Sequence, residues 1–322
     1  MLKVTRHIVI ASLFAGCMAP EPPRVNPEFV PTPAPSQART GVLVMAHGGS
    51  DTWNDAVREA VAPLENEMPT AIAFGMADPA TLQTAVDQLE ASGVERIAVI
   101  RLFVSGSSFL HRTEYVFQQR SDPPPRGASA QSDPPARIRT SSEIVIDRHG
   151  LVDAPEAGKI LLDRANALSR DTSTEVLLVL GHGNEEESVN NHLLQQMDLQ
   201  AAGLRASGFR DVAVETLRED WATHRASAET RIRTWVSNNS EAGLRVLVIP
   251  FRLFGFGPYA EVLEGLEYET DALGFLPHAE ITNWLRRRMR AVSCESGWAD
   301  QTTACPIVTE VSSVSTSGTG TG

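Results

Sequence analysis

Two apolar runs in this chain end on the same dipeptide. Val42-Leu43-Val44-Met45-Ala46 leads into His47-Gly48, and Leu177-Leu178-Val179-Leu180-Gly181 leads into His182-Gly183. Unbroken apolar runs of this length read as strands buried on both faces, the signature of a parallel sheet covered by helices. A strand that stops at His-Gly sets an imidazole at the carboxyl edge of its sheet, where open α/β folds bind their ligands. Two copies predict a duplicated α/β domain, with two similar lobes facing one cleft.

A second match supports the duplication. Arg101-Leu102-Phe103-Val104-Ser105-Gly106 aligns without a gap on Pro250-Phe251-Arg252-Leu253-Phe254-Gly255. Similarity repeated at domain length constrains a fold more than either motif alone. The first repeat is expected over residues 40–172 and the second over 173–292. In the first, strands are predicted at Val42–Ala46, Thr70–Phe74 and Arg96–Val104, with helices at Asp55–Glu67, from Pro79 to Gly93, and at Phe109–Gln119. Asp78 before Pro79 is an N-cap signal. A Pro/Ser-rich insertion at 121–136 reads as a surface excursion. Glu143–Ile146 is a further strand and Glu156–Ser169 a helix. In the second repeat the strands are Glu175–Leu180, Asp211–Glu215 and Leu244–Ile249. Its helices are Ser188–Ala206, Ala226–Val236, Tyr259–Leu266 and His278–Arg290.

The ends of the chain read as targeting and tail. Lys3 and Arg6 precede an apolar segment, Ile8–Ala15, too short to span a bilayer as a helix. Leu13-Phe14-Ala15-Gly16-Cys17 then resembles a bacterial lipobox, with Phe14 where Leu is usual. Residues 1–17 are expected to be a lipoprotein signal, with Cys17 the lipid-bearing residue of an exported, membrane-anchored protein. Residues 18–39 are proline-rich and read as a stiff spacer. Cys294 and Cys305 are a candidate disulfide in an oxidising compartment, stapling the tail, 293–322. The formal net charge of -12 argues against nucleic acid as a partner. Arg286, Arg287, Arg288 and Arg290 read as a solvated helix end.

The residues that could carry chemistry are few. His47 and His182 end first strands, and His111 follows the third-strand loop of the first repeat. Imidazole is a ligand for divalent cobalt, iron, nickel or zinc and a base near neutral pH. His47-Gly48-Gly49-Ser50, then Met76-Ala77-Asp78-Pro79, then Leu102-Phe103-Val104-Ser105-Gly106 with His111 nearby, resembles the sirohydrochlorin chelatases, the ATP-independent class II tetrapyrrole chelatases. The second half resembles the same family through Gly181-His182-Gly183 and the run from Pro250 to Tyr259.

The resemblance implies two α/β lobes around a cleft and insertion of Co2+ or Fe2+ into a tetrapyrrole. It implies that His47 and His111 coordinate the metal and assist loss of the pyrrole protons, with His182 a further metal candidate. Ser50, Gly106, Ser107 and Tyr259 are the residues expected to touch the ring. No G-x-x-x-x-G-K-[ST] occurs, in keeping with a reaction not driven by ATP. The sequence departs from the family in two places. Phe109 stands where the second histidine is expected, two residues before His111, and Gly75 stands where an acid often follows the second strand. Opposite His111 in the second repeat is Ala260, so His182 lacks a matching partner there.

Other readings are weaker. Ile144-Val145-Ile146-Asp147-Arg148-His149-Gly150 has the strand-Arg-His-Gly form of histidine phosphatases, but sits between repeats; as a solvated turn it has no chemistry. His47-Gly48-Gly49 could serve an α/β-hydrolase oxyanion hole, but no G-x-S-x-G elbow accompanies it. The main alternative is a lipid-anchored protein that binds metal or tetrapyrrole without catalysis. The duplication makes a dimer unnecessary for a two-lobed cleft, so a monomer is the expectation.

Overall fold

The apolar runs do become buried parallel strands. In a computed structural model of the protein, which describes residues 38–125, 134–299 and Cys305, the first lobe carries β1 (Thr40–Ala46), β2 (Thr70–Phe74), β3 (Arg96–Leu102) and β4 (Glu143–Ile146). They form one parallel sheet in the order β2-β1-β3-β4. The second lobe carries β5 (Glu175–Gly181), β6 (Asp211–Thr216) and β7 (Arg245–Phe251), parallel in the order β6-β5-β7. Val42 to Ala46 and Val176 to Leu180 are at most 1% exposed. Helices on both faces leave these residues no contact with water, so no polar alternation is required. The expected leader, Cys17 and almost all of the spacer lie outside the described residues, as does most of the tail.

Register confirms the internal alignment. Ala46 pairs with Leu102 and Gly181 with Phe251, so the loops after β3 and β7 leave matching places. Around the first sheet run α1 (Asp51–Glu65), α2 (Pro79–Ala91) and α3 (Leu110–Val116), followed after β4 by α4 (Pro155–Leu168). Asp78 caps α2, accepting from the amides of Ala80 and Thr81 at 2.8 and 3.1 Å. α1 starts four residues before the expected Asp55, because Ser50 accepts from the Trp53 amide at 3.3 Å and caps the helix there. The second lobe has α5 (Glu187–Gln200), α6 (Ala202–Ala206), α7 (Ala222–Glu241), α8 (Tyr259–Val262) and α9 (Ala279–Glu295). The single helix predicted over 188–206 is thus two, joined at Ala201. The helix predicted from Tyr259 to Leu266 is one turn, ending before the left-handed Gly265.

The last helices of the two repeats change places. α4 packs on β7 of the second sheet, while α9 packs on β3 and α1 of the first. Each enters by the same route: Leu151 donates to the Phe103 carbonyl at 3.1 Å, and Phe275 to the Arg252 carbonyl at 2.8 Å. Trp284 of α9 is wholly buried in a core that contains residues of both sheets. This exchange overturns the expected solvated arginine cluster. Arg288 is 5% exposed and forms two bonds to the Asp147 carboxylate, at 2.7 and 2.9 Å. Arg287 binds Glu156 of α4 at 2.6 and 2.7 Å, and Arg286 binds Glu67.

The counterpart contact has the same design. Arg164 of α4 lies 3.6 Å from Asp271. Asp147 and Asp271 each sit four residues before the entering amide, and each arginine sits nine residues after the first of its helix. Burial would raise the Asp147 carboxyl, but hydrogen bonds from His149 and Arg288 hold it below its ordinary range. The Asp147-Arg148-His149-Gly150 turn is therefore an anchor between repeats. Asp147 and Gly150 are buried while Arg148 and His149 stay exposed, so the turn is only half solvated, and it does not open the fold as in a phosphatase. Cys294 and Cys305 are disulfide-bonded, as their spacing suggested.

Candidate active site

At the first edge, β1 stops and Gly48 turns the chain with φ +74. The turn places His47 Nδ1 2.7 Å from the Gly48 carbonyl oxygen. A carbonyl can only accept, so Nδ1 carries a proton, and in the neutral ring the lone pair lies on Nε2. The imidazole stacks on Trp53, with ring centroids 5.3 Å apart and planes 7° apart. Trp53 in turn stacks on Phe254 of the second lobe at 5.8 Å and 12°. Phe109 meets His47 edge-on at 6.4 Å. The result is a row of aromatic faces spanning the two lobes, with one imidazole in it.

Phe109 takes the place beside His47 where the family resemblance expects a second imidazole. Its backbone is left-handed, with φ +54, a conformation that costs a non-glycine residue about 1–3 kcal/mol. The surroundings impose it. Thr113 donates to the Phe109 carbonyl through both its amide and its hydroxyl, at 2.8 and 2.7 Å. Arg101, wholly buried, donates to the carbonyls of Asp147, Gly106 and Ser108 and so pins the loop. Burial lowers the Arg101 guanidinium to about 10, still charged at neutral pH, with Asp147 and Glu114 opposing the shift.

The other expected site residues have partners of their own. His111 turns its Nε2 to Asp122, 3.1 Å away, and lines a surface cavity of about 770 Å³ with Ser107, Glu114, Arg120 and Arg148. His47 is not part of that wall. Gly75 has φ +132 and a Cβ there would lie 3.0 Å from the Asp78 Cβ. The turn therefore requires glycine where the family places an acid. Ser50 is occupied as the α1 cap. Gly106 packs so closely that a Cβ would fall 2.4 Å from the Arg148 carbonyl oxygen, leaving no approach for a ring on that side. Among the described residues, no three His, Cys, Asp or Glu side chains converge as a metal cage.

The second edge repeats the backbone and changes the chemistry. His182 Nδ1 lies 3.0 Å from the Gly183 carbonyl, as in the first lobe. Its Nε2 faces carboxylates: Asp220 Oδ2 at 3.2 Å and Glu219 Oε2 at 3.9 Å. Trp221 meets the ring edge-on at 5.8 Å. Glu219 is ion-paired to Arg252, whose guanidinium lies over the Tyr259 ring at 5.4 Å. Tyr259, expected to touch the ring, is wholly buried, and its hydroxyl has no hydrogen-bond partner among the described residues. Burial pushes that phenol above the ordinary tyrosine range.

Sequence reading missed Trp53, Phe254, Glu219 and Asp220. Trp53 is visible only as the residue six after His47. The acids fall two and three residues beyond Leu217, which follows the Gly181–Thr216 pair as Gly75 follows Ala46–Phe74. A search for an acid at the aligned position passes them by.

No family model and no curated protein matches the sequence. The fold is similar to that of SirB from Bacillus subtilis, a structure with Fe3+: the TM-score is 0.57 at 12% identity, covering 81% of this chain and 98% of that one. A multi-domain protein from Deinococcus radiodurans, described as structurally similar to chelatases, aligns with TM-score 0.49 at 15% identity over 77% of this chain. The alignment spans 54% of that protein's chain. The likeness to SirB is one of fold, two parallel sheets flanked by helices.

Proposed function

We propose that the protein binds a flat tetrapyrrole of the sirohydrochlorin type at the first edge and inserts a divalent ion, cobalt or iron, without a nucleotide. The observation that carries this reading is the His47 ring, whose Nδ1 is committed to Gly48 while Nε2 has no polar partner among the described residues, beside a row of aromatic faces. The likeness of fold to SirB supports it. Insertion exchanges two pyrrole N–H protons for one dication. His47 Nε2 takes one of those protons or holds the ion loosely before transfer, and the other proton leaves to water. Aromatic faces suit a planar ring, since offset stacking of such surfaces adds about 0.5–1.5 kcal/mol beyond burial. Two lobes in one chain make a monomer sufficient. The leader sequence supports an exported protein, lipid-anchored through Cys17 to a bacterial membrane.

A second reading, ring or metal binding without catalysis, is favoured by Phe109 and Gly75 standing where ligands are expected. Turnover separates the two. Protein lacking residues 1–17 is mixed with sirohydrochlorin and Co2+ or Fe2+, and the ring absorbance is followed. Metallation faster than the spontaneous rate, abolished in His47→Ala, supports insertion. Tight ring binding with no acceleration rejects it in favour of binding alone.

A further inference from the structure

The two strand-end imidazoles are held in the same way, and the residue that holds each lies outside the repeated motifs. His47 Nδ1 meets the Gly48 carbonyl oxygen at 2.7 Å. That carbonyl shares one planar peptide with the Gly49 N–H, so the two groups turn together. On the far side of the peptide, the Gly49 amide donates to Asn54 Oδ1 at 3.0 Å. An amide N–H only donates, so the oxygen of Asn54 faces it. The imidazole and Asn54 are thus joined by two hydrogen bonds relayed through a single peptide.

The second lobe builds the same relay from different residues. His182 Nδ1 lies 3.0 Å from the Gly183 carbonyl oxygen. The amide of the same peptide, the Asn184 N–H, donates to Asn190 Oδ1 at 3.0 Å. Asn190 is 3% exposed and also accepts from the Thr216 hydroxyl, at the end of β6, at 2.9 Å. One residue more separates His182 from Asn190 than separates His47 from Asn54. The relay recurs in spite of that shift.

The peptide needs such a pin. In each lobe it follows a glycine in the left-handed region, φ +74 at Gly48 and +91 at Gly183, where the backbone is freest to rotate. In the first lobe Asn54 Nδ2 also donates to the Gly49 carbonyl at 3.3 Å. A Cβ on Gly49 would fall 2.4 Å from the Trp53 ring, so Gly49 is held between an amide and an indole. A rotated peptide would withdraw the carbonyl from Nδ1. The ring proton would then be free to move to Nε2 and cover its lone pair.

We infer that Asn54 is a positioning residue. Through the Gly48–Gly49 peptide it keeps the proton of neutral His47 on Nδ1 and the lone pair on Nε2, and Asn190 does the same for His182. What the His47 lone pair does to a ring rests on the reading proposed above; the tautomer does not.

The experiment records two-bond 1H–15N spectra of the histidine rings in the full chain. The pH is about 8.5, where an ordinary imidazole is neutral. His47→Gln and His182→Gln assign the signals. Wild type shows both rings protonated on Nδ1. Asn54→Ala lowers the ratio of Nδ1–H to Nε2–H in His47 about fivefold, the equivalent of one ordinary hydrogen bond, and leaves His182 unchanged. Asn54→Asp keeps an oxygen for the Gly49 amide and stays within about twofold of wild type. Asn54 is half-buried on α1, and alanine is the best helix former, so the substitution does not put folding at risk. A wild-type His47 protonated on Nε2, an unchanged His47 in Asn54→Ala, an equal shift of His182, or an equal loss in Asn54→Asp would overturn the inference. Failure of the wild type to metallate a ring, with the tautomer shift intact, would reject the chelatase reading alone.

Discussion

The two His-Gly edges have one backbone and two environments. In the first, the imidazole lies in a row with Trp53, Phe254 and Phe109, and its other nitrogen meets no carboxylate among the described residues. In the second, the same ring faces Asp220 and Glu219. The two lobes share the strand, the glycine turn and the Nδ1 bond, which the sheet edge itself determines. The loops around them differ. An aromatic wall favours a flat organic ligand, and a carboxylate pair favours a cation. The contrast suggests a division of labour between the lobes in place of two equivalent centres.

The strongest test of how far the lobes have diverged lies at their anchors. Asp147→Ala strands the buried Arg288 and is expected to cost about 3–5 kcal/mol in urea denaturation. Asp271→Ala, at the looser 3.6 Å pair with Arg164, is expected to cost about 1 kcal/mol or less. Equal losses would show the two anchors to be equivalent. Next in size is Trp53→Ala, which removes the ring joining His47 to Phe254. About 2 kcal/mol of stability should go with it, since the side chain is only partly buried. Ser188, at the matching place after His182, should tolerate alanine with no measurable loss.

Phe109→His sharpens the comparison from the other side. Histidine is among the residues enriched in left-handed backbone. It would put a second imidazole beside His47, so Co2+ affinity at the first edge should rise about tenfold, roughly 1.4 kcal/mol, as read by titration. The mildest expected change is a pH effect at the opposite edge of the first sheet. Burial tends to raise the Glu90 carboxyl. Hydrogen bonds from Thr140, Ser141 and Ser142 overcome this and hold it at about 2, against an ordinary 4.5. A folded value below the unfolded one means stability fully present above pH 4.5 and lost as the pH falls toward 2. Glu90→Gln should flatten that part of a pH–stability curve by lowering the neutral plateau toward the acid value, with little change near pH 2.

What could be read from residues alone was whatever is local. The apolar runs of β1 and β5, the Asp78-Pro79 helix start and the aligned third strands all depend on near neighbours. Arg288 misled because nothing in the helix pattern of α9 shows that it lies under the other repeat. The Trp53–Phe254 stack joins residues 201 positions apart. Asp220 was passed over because it lies on the loop beyond the end of β6, outside the repeated strand pattern. Ser50 and Tyr259 were correctly placed near the edges, but capping and burial had already claimed them.

The division of labour is tested most directly by metallation rates at varied Co2+ for three proteins: wild type, His47→Ala and His182→Ala. His47→Ala should fail at every metal concentration. His182→Ala should keep the wild-type kcat, because its Nε2 faces Asp220 and is not offered to a ring. Loss of kcat in both variants alike, or a wild-type rate no faster than the spontaneous one, would contradict it.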